Sequence, residues 1–362
     1  MSDLKEIIAD YILTLPPYPK GREWREEEDF VRLCANENPL GPSPQAVAAV
    51  TKSLRSIHRY PDGTGGGLKE KLAQRLDFAP DNIILGNGSN EIFELALRTF
   101  LQGRGEVLLP EPTFAYYRIA AQAQGARCVS IPLLSDFKID LSGVAKKVGA
   151  QTRLIFLSNP NNPTGTIFTR SEFDDFLAHL PSRVVVVVDE AYGEYVTAAD
   201  YPRAQEYRHR EGWIITTKTF SKFYGLAGLR IGYGIARAEL IEQMEKVRQP
   251  FSVNLLAQKA AEAALGDEEH REKTARINEK GKRYLYEELA RLGLSFVPSE
   301  ANFVLVHLGP RVPQVMKGLM REGIVVRGMA GYGLGEYIRV TIGLPEENKR
   351  FIKALEQWGK GS

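Results

Sequence analysis

The middle of the chain carries a series of short apolar runs separated by helical patterns: "NIILGNG", "EVLLPEP", "RCVSIPL", "RLIFLSNP", "RVVVVVDEAY", "WIITTKTF" and "LRIGYGIA". They are apolar at successive positions rather than at every second one, so both faces of each strand are expected to be buried. A strand buried on both faces needs helices above and below it. Residues of about 40 to 250 should therefore form a mostly parallel sheet between helix layers, an α/β fold. After Pro250 the pattern becomes one long helical stretch, "LLAQKAAEAALGDEEHREKTARINEKGKRYLYEELARLG". Strand, helix, strand and helix are expected to follow around "ANFVLVHL", "QVMKGLMREG", "YIRVTIG" and "NKRFIKALEQW". A chain of 362 residues exceeds the usual size of one core. We expect a large domain over 40–250 and a smaller α+β domain over 251–362, with residues 1–39 contributing to the smaller one.

Charge narrows the partners. Forty-seven basic side chains against 45 acidic ones leave +2, with no long run of one sign. Neither nucleic acid nor a membrane surface is suggested, and small molecules or other proteins remain. The two cysteines, Cys34 and Cys128, have no metal-ligand spacing and cannot build a disulfide framework, so no metal site is expected and a reducing compartment fits. The first residues lack a long apolar stretch with a cleavage site, and no apolar run approaches the roughly 20 residues of a membrane span. A cytoplasmic protein is expected.

In open α/β sheets ligands gather beyond the carboxyl ends of the strands. Four such ends carry chemistry. "GNGSNEIFELALRTF" places two glycines before a helix that Ser89 can begin, with Ile92, Ala96 and Phe100 on one face. Free N–H groups at a helix start suit a phosphate, and a plain capped turn would use the same residues. "SNPNNPTG" is built from turn formers. Asp189 ends the valine run. A carboxylate there is desolvated and needs a cationic or donor partner, whether a ligand, a cap or a salt bridge. The fourth end is "TFSKFYGLAGLRIGYG", where Lys222 stands among hydroxyls, glycines and apolar residues. Burial lowers a lysine from about 10.4 and frees a nucleophilic amine, so Schiff-base chemistry explains the placement. A lysine snorkelling at the sheet edge is the alternative, and Lys218 competes for the role.

Together, and in this order, "NPNNPTG", "VVVDEAY" and "SKFYGLAGLRIG" resemble the fold type I aminotransferases that use pyridoxal 5′-phosphate. "ANENPLGPSP", "RYPDG", "GNGSNE", "EPTFAYY", "PFSVN", "ANFVLV" and "YIRVTIG" are similar to motifs of the histidinol-phosphate aminotransferases. The likeness runs from about Tyr18 to Asn348. Sister enzymes acting on aromatic amino acids, and threonine-phosphate decarboxylases, share several of these motifs.

The resemblance implies a role for each matching residue. Lys222 would carry the cofactor, Asp189 would pair with its ring nitrogen, Tyr192 and Asn162 would bond its phenolic oxygen, and Phe114 would stack on its face. Ser89, Asn90, Thr219, Ser221 and Arg230 would hold its phosphate, joined by Tyr60 of the neighbouring subunit in a homodimer. On the substrate side, Arg339 would fork onto an α-carboxylate and Arg327 would reach a distal anion, beside Tyr18 and Asn36. The implied substrates are histidinol phosphate or imidazole acetol phosphate, with glutamate or 2-oxoglutarate. Asn90 stands where many relatives have aspartate, and Phe114 where they have tyrosine. Asparagine keeps an oxygen, and phenylalanine keeps a stacking ring.

Overall fold

Val184–Val188 are five valines in a row, followed by Asp189, and all six residues are buried. Their side chains alternate between two cores. Val185 and Val187 join Val107, Leu109, Leu154 and Phe156 on one face, while Val186 and Val188 join Leu108, Ile155 and Leu157 on the other. Neighbouring residues of a strand point to opposite faces, so a strand covered on both sides must be apolar throughout. Each such side chain contributes about 1.5–3 kcal/mol on burial.

The structure is a computed structural model that describes residues 4–15, 30–103, 105–207 and 212–359. In chain order its strands are β1 (Val31–Leu33), β2 (Ile83–Gly86), β3 (Glu106–Glu111), β4 (Arg127–Pro132), β5 (Thr152–Ser158), β6 (Val185–Asp189), β7 (Trp213–Thr219), β8 (Gly232–Ile235), β9 (Phe296–Val297), β10 (Phe303–His307), β11 (Ile324–Gly328) and β12 (Tyr337–Thr341). Seven form one sheet in the order β2-β8-β7-β6-β5-β3-β4. From β7 to β4 the pairings are parallel, as expected, whereas β8 is antiparallel to both β2 and β7. The connection from β7 to β8 carries a 3-10 turn, Ala227–Leu229, and no α-helix, so the strand turns back instead of crossing over.

Glycines in β8 set the spacing of the layers. Side chains of Tyr233 and Ile235 enter the core on one side, and Gly232 and Gly234 face the helix Ser89–Phe100 on the other. A Cβ on Gly232 would lie 2.5 Å from the Ser89 backbone nitrogen, and one on Gly234 would lie 2.9 Å from Ile92 Cγ2. The helix start thereby approaches the ends of β7 and β8 closely.

A second sheet has the order β1-β11-β12-β10-β9. β1 is parallel to β11, pairing Val31 with Ile324, and the other pairs are antiparallel. Its core joins Val31, Leu33, Val304, Val306 and Val340 to Leu285 and Leu289 of the helix Glu268–Arg291 and to Phe351 and Leu355 of the helix Pro345–Gly359. The expected order of strand, helix, strand and helix is too sparse here. It omits β9, whose apolar stretch of two residues is too short to register as a strand, and β11, whose Ile324–Val326 run is as long as the Ile83–Leu85 run of β2. No helix among the described residues is long and apolar enough to cross a membrane.

Candidate active site

Because β5, β6 and β7 are parallel, Ser158, Asp189 and Thr219 end on one edge of the sheet, and β2 delivers the helix start at Ser89 to the same edge. Facing them, β11 and β12 contribute Arg327 and Arg339. Between lies a cavity of about 330 Å³.

One end of the cavity is built for an anion. The helix Ser89–Phe100 starts after Gly88, whose φ of 77° is a left-handed value that glycine adopts freely, and no side chain caps it. Ser89 and Asn90 line the cavity there with Thr219, Ser221 and Arg230. Arg230 Nη1 donates to Ser221 Oγ at 3.3 Å, and its Nη2 lies 2.6 Å from where a Cβ of Gly88 would sit. Any side chain at position 88 would displace the guanidinium.

Deeper in the cavity, Asp189 and Lys222 have opposite perturbations. Burial pushes the Asp189 carboxyl up to about 6, against hydrogen bonds from Tyr117 to Oδ2 at 2.6 Å and from Thr217 to Oδ1 at 2.9 Å. Burial, reinforced by the positive charge of Arg339, pulls the Lys222 ammonium down to about 8. Lys222 Nζ donates to the Ala35 carbonyl at 2.7 Å. Lys218 is different. It lies between Thr217 and Thr219 on β7, so its side chain takes the other face, where Glu190 and Glu194 hold Nζ at 3.0 and 3.2 Å. Burial opposes its charge, but the two carboxylates outweigh it and hold the ammonium well above its ordinary value. The cavity is lined by Lys222 and not by Lys218.

Arg327 and Arg339 are direct partners in the register of β11 and β12. Neither lies in an edge strand. Like charges directly opposite each other repel, and their side chains share one face. Arg339 is 7% exposed; Nη1 donates to Asn162 Oδ1 at 2.5 Å and Nη2 to the Cys34 carbonyl at 3.0 Å. Its Nε has no partner among the described residues. Asn36, at a left-handed φ of 56° that asparagine tolerates, donates from Nδ2 to the Tyr192 hydroxyl at 2.9 Å, and its backbone N–H donates to Thr341 Oγ1. That residue ties the two sheets together across the cavity. Phe114 completes the wall.

Thirteen of the expected site residues thus line one cavity: Asn36, Ser89, Asn90, Phe114, Asn162, Asp189, Tyr192, Thr219, Ser221, Lys222, Arg230, Arg327 and Arg339. Tyr18 lies outside the described residues. Tyr60 is not in the lining; it is 82% exposed and stacks on Phe251 with ring centroids 4.7 Å apart. The sequence reading missed Cys34, Ala35, Ala191 and Tyr332, which also line the cavity, and Tyr117 and Thr217 behind Asp189. Period-two spacing from Thr219 could have pointed to Thr217. Tyr117 ends the motif "EPTFAYY", but nothing in the sequence marked it as a partner of Asp189.

The family profile described as aminotransferase class I and II matches residues 28–355. The chain belongs to the class I and II aminotransferases. Among curated relatives of this aminotransferase, the histidinol-phosphate aminotransferase of Moorella thermoacetica is 44% identical over 353 residues, covering 96% of this chain and 91% of the relative. Histidinol-phosphate aminotransferase 1 of Nitrosococcus oceani is 44% identical over 357 residues, covering 97% and 96%. The crystal structure of the Sinorhizobium meliloti histidinol-phosphate aminotransferase, in complex with pyridoxal 5′-phosphate, superposes with a TM-score of 0.88 at 27% identity, covering 97% of each chain. The mixed sheets and their helices are those of the fold type I aminotransferases.

Proposed function

We propose that this aminotransferase works with pyridoxal 5′-phosphate and exchanges an amino group between histidinol phosphate and 2-oxoglutarate, giving imidazole acetol phosphate and glutamate, reversibly. The donor set fits the cofactor. An uncapped helix start, two hydroxyls and Arg230 suit its phosphate, a buried carboxylate suits its ring nitrogen, and Phe114 offers an aromatic face. When bound, the group supplies an aldehyde that condenses with amines and a ring that accepts electrons released at the substrate α-carbon.

The chain's own residues do the rest. Lys222, with an ammonium lowered to about 8, has a larger fraction of free amine near neutral pH than an ordinary lysine; it would serve first as the attachment point and then as the base at Nζ that takes the α-proton and passes it to the former aldehyde carbon. Asp189 keeps a negative charge opposite the ring nitrogen. Tyr192 and Asn162 bond the phenolic oxygen, and Arg339 forks onto the substrate α-carboxylate where one is present. Asn36 borders the substrate.

One observation carries the substrate assignment: Arg327 and Arg339 stand opposite each other on one face of a cavity that already holds an anion site. Two cations in register suit the two carboxylates of glutamate in one half-reaction and the doubly charged phosphate ester in the other. The purified protein, incubated with histidinol phosphate and 2-oxoglutarate, should form glutamate, and phenylalanine should replace histidinol phosphate poorly. Glutamate formed from phenylalanine but not from histidinol phosphate would make this an aromatic amino-acid enzyme. Carbon dioxide released from threonine phosphate would make it a decarboxylase.

The same reading includes a homodimer in which Tyr60 reaches the phosphate of the partner's cofactor. Its support is the exposure of Tyr60 away from its own cavity, in a segment that also exposes Val47, Leu54 and Ile57. The second sheet, with β1 (Val31–Leu33) joined to it, supports a smaller domain within 251–362 to which the chain around β1 is added, while the helix Leu255–Gly266 packs with Leu68 and Leu72 in the core of the first sheet. We place the enzyme in the cytoplasm with the rest of small-molecule biosynthesis.

A further inference from the structure

Tyr117 lies beneath the cavity and outside its lining. In the helix Tyr116–Ala123 it has no solvent exposure. Its ring stacks on Phe156 at 5.2 Å and meets the edges of Phe93 and Phe114 at 5.0 and 5.4 Å. Packed on three sides, the ring can aim its hydroxyl in only one direction, and that hydroxyl donates to Asp189 Oδ2 at 2.6 Å. Thr217 occupies Oδ1 from the other side at 2.9 Å. Each carboxylate oxygen is therefore held from inside the protein, and each keeps acceptor capacity for a ligand.

We propose that Tyr117 is a positioning residue that acts through Asp189, fixing from the aromatic core the charged carboxylate edge that a ring nitrogen in the cavity would meet. The inference rests on the cofactor reading above. A donor to a carboxylate favours its ionised form, whereas burial favours the acid. Without the phenol, Asp189 would hold its own proton more readily and would lose its aim, and a neutral acid cannot keep a ring nitrogen protonated. The groups that face Asp189 are Tyr117 from the helix, Thr217 and Lys218 from β7, the Ala191 N–H and Tyr192 from the turn after β6, and Lys222 across the cavity. Among them Tyr117 is the buried group joined to the carboxylate by the shorter bond.

The test compares Tyr117→Phe with Tyr201→Phe. Tyr201 is equally buried and donates to the Asn159 carbonyl, so its variant loses a buried phenol bond without touching Asp189. Three quantities are read: steady-state kcat and KM, the dissociation constant for pyridoxal 5′-phosphate, and the Asp189 carboxyl titration by infrared difference spectroscopy in the cofactor-free protein, assigned with Asp189→Asn. Tyr117→Phe should lower kcat about tenfold with KM within about twofold, weaken the cofactor several-fold and move the Asp189 midpoint up by about one pH unit. Tyr201→Phe should change none of these. If Tyr117→Phe folds poorly, 3,5-difluorotyrosine at position 117 keeps the shape, strengthens the donor and should move the midpoint down. A midpoint unmoved by either change, or a Tyr117→Phe enzyme that matches Tyr201→Phe, overturns the proposal. If Asp189→Asn itself keeps full turnover and cofactor affinity, it is the cofactor reading that fails.

Discussion

Lys222 and Lys218 sit four positions apart with opposite electrostatics. Lys218 is neutralised by Glu190 and Glu194 on the far face of β7, while Lys222 faces the cavity between the positive charges of Arg339 and Arg230. Borohydride reduction of the loaded enzyme should fix the cofactor to Lys222, and peptide mapping to Lys218 would contradict this. The lowered ammonium also has a consequence for stability. Its folded value of about 8 lies below the ordinary 10.5, so the unfolded chain binds the proton more tightly. The charged lysine therefore destabilises the cofactor-free fold below pH 8, and the penalty disappears as pH rises from about 8 to about 10.5. Lys222→Met should raise the melting temperature of the cofactor-free protein at pH 7 by a few degrees, with the advantage fading across that range. A difference independent of pH would mean that the ammonium is not strained. The run "SKFYGLAGLR" made Lys222 legible in the sequence. The partners of Lys218 were not, because Glu190 and Glu194 come from a different segment and meet it only through the strand order.

At the scale of elements, the proposed phosphate end of the cavity depends on how near the helix Ser89–Phe100 can come to β8. Gly232 permits that approach, since a methyl there would strike the Ser89 backbone. Gly232→Ala should weaken pyridoxal 5′-phosphate at least about tenfold and destabilise the fold by about 1–3 kcal/mol, the usual cost of overpacking. Gly228→Ala, where a Cβ meets open space, serves as the control. Equal cofactor affinity in the two variants would show that the helix position is not what forms the site. Strands β3, β5 and β6 were legible because burial on two faces leaves uninterrupted apolar runs, whereas the edge strand β4 buries only Ile131; the glycines of "GNGSNE" marked the helix start. The antiparallel turn of β8 was not, since nothing in "LRIGYGIA" fixes strand direction. β11 was hidden for another reason. Its three apolar residues follow the helical pattern of "QVMKGLMREG" directly, and the pairing on both sides that makes them a strand is set by the sheet.

The molecule as a whole brings two sheets to one cavity, one presenting the lysine, the acid and the uncapped helix start, the other presenting paired arginines. Asn36 bridges them, with Tyr192 on one side and Thr341 on the other. The sequence resemblance assigned these residues one at a time. Their convergence, and above all the register that sets Arg327 opposite Arg339, is a property of the three-dimensional pairing. The central claim is that this pair makes the enzyme select a substrate with a distal anion. Charge-assisted bonds to a phosphate contribute roughly 1.5–3 kcal/mol each. The most direct measurement is kcat/KM of Arg327→Ala against wild type for two donors, histidinol phosphate and phenylalanine, with cofactor affinity recorded in parallel. The value for histidinol phosphate should fall at least about tenfold, a loss of roughly 1.4 kcal/mol, while phenylalanine and the cofactor change little. An equal fall for both donors, or no fall for either, would contradict the claim.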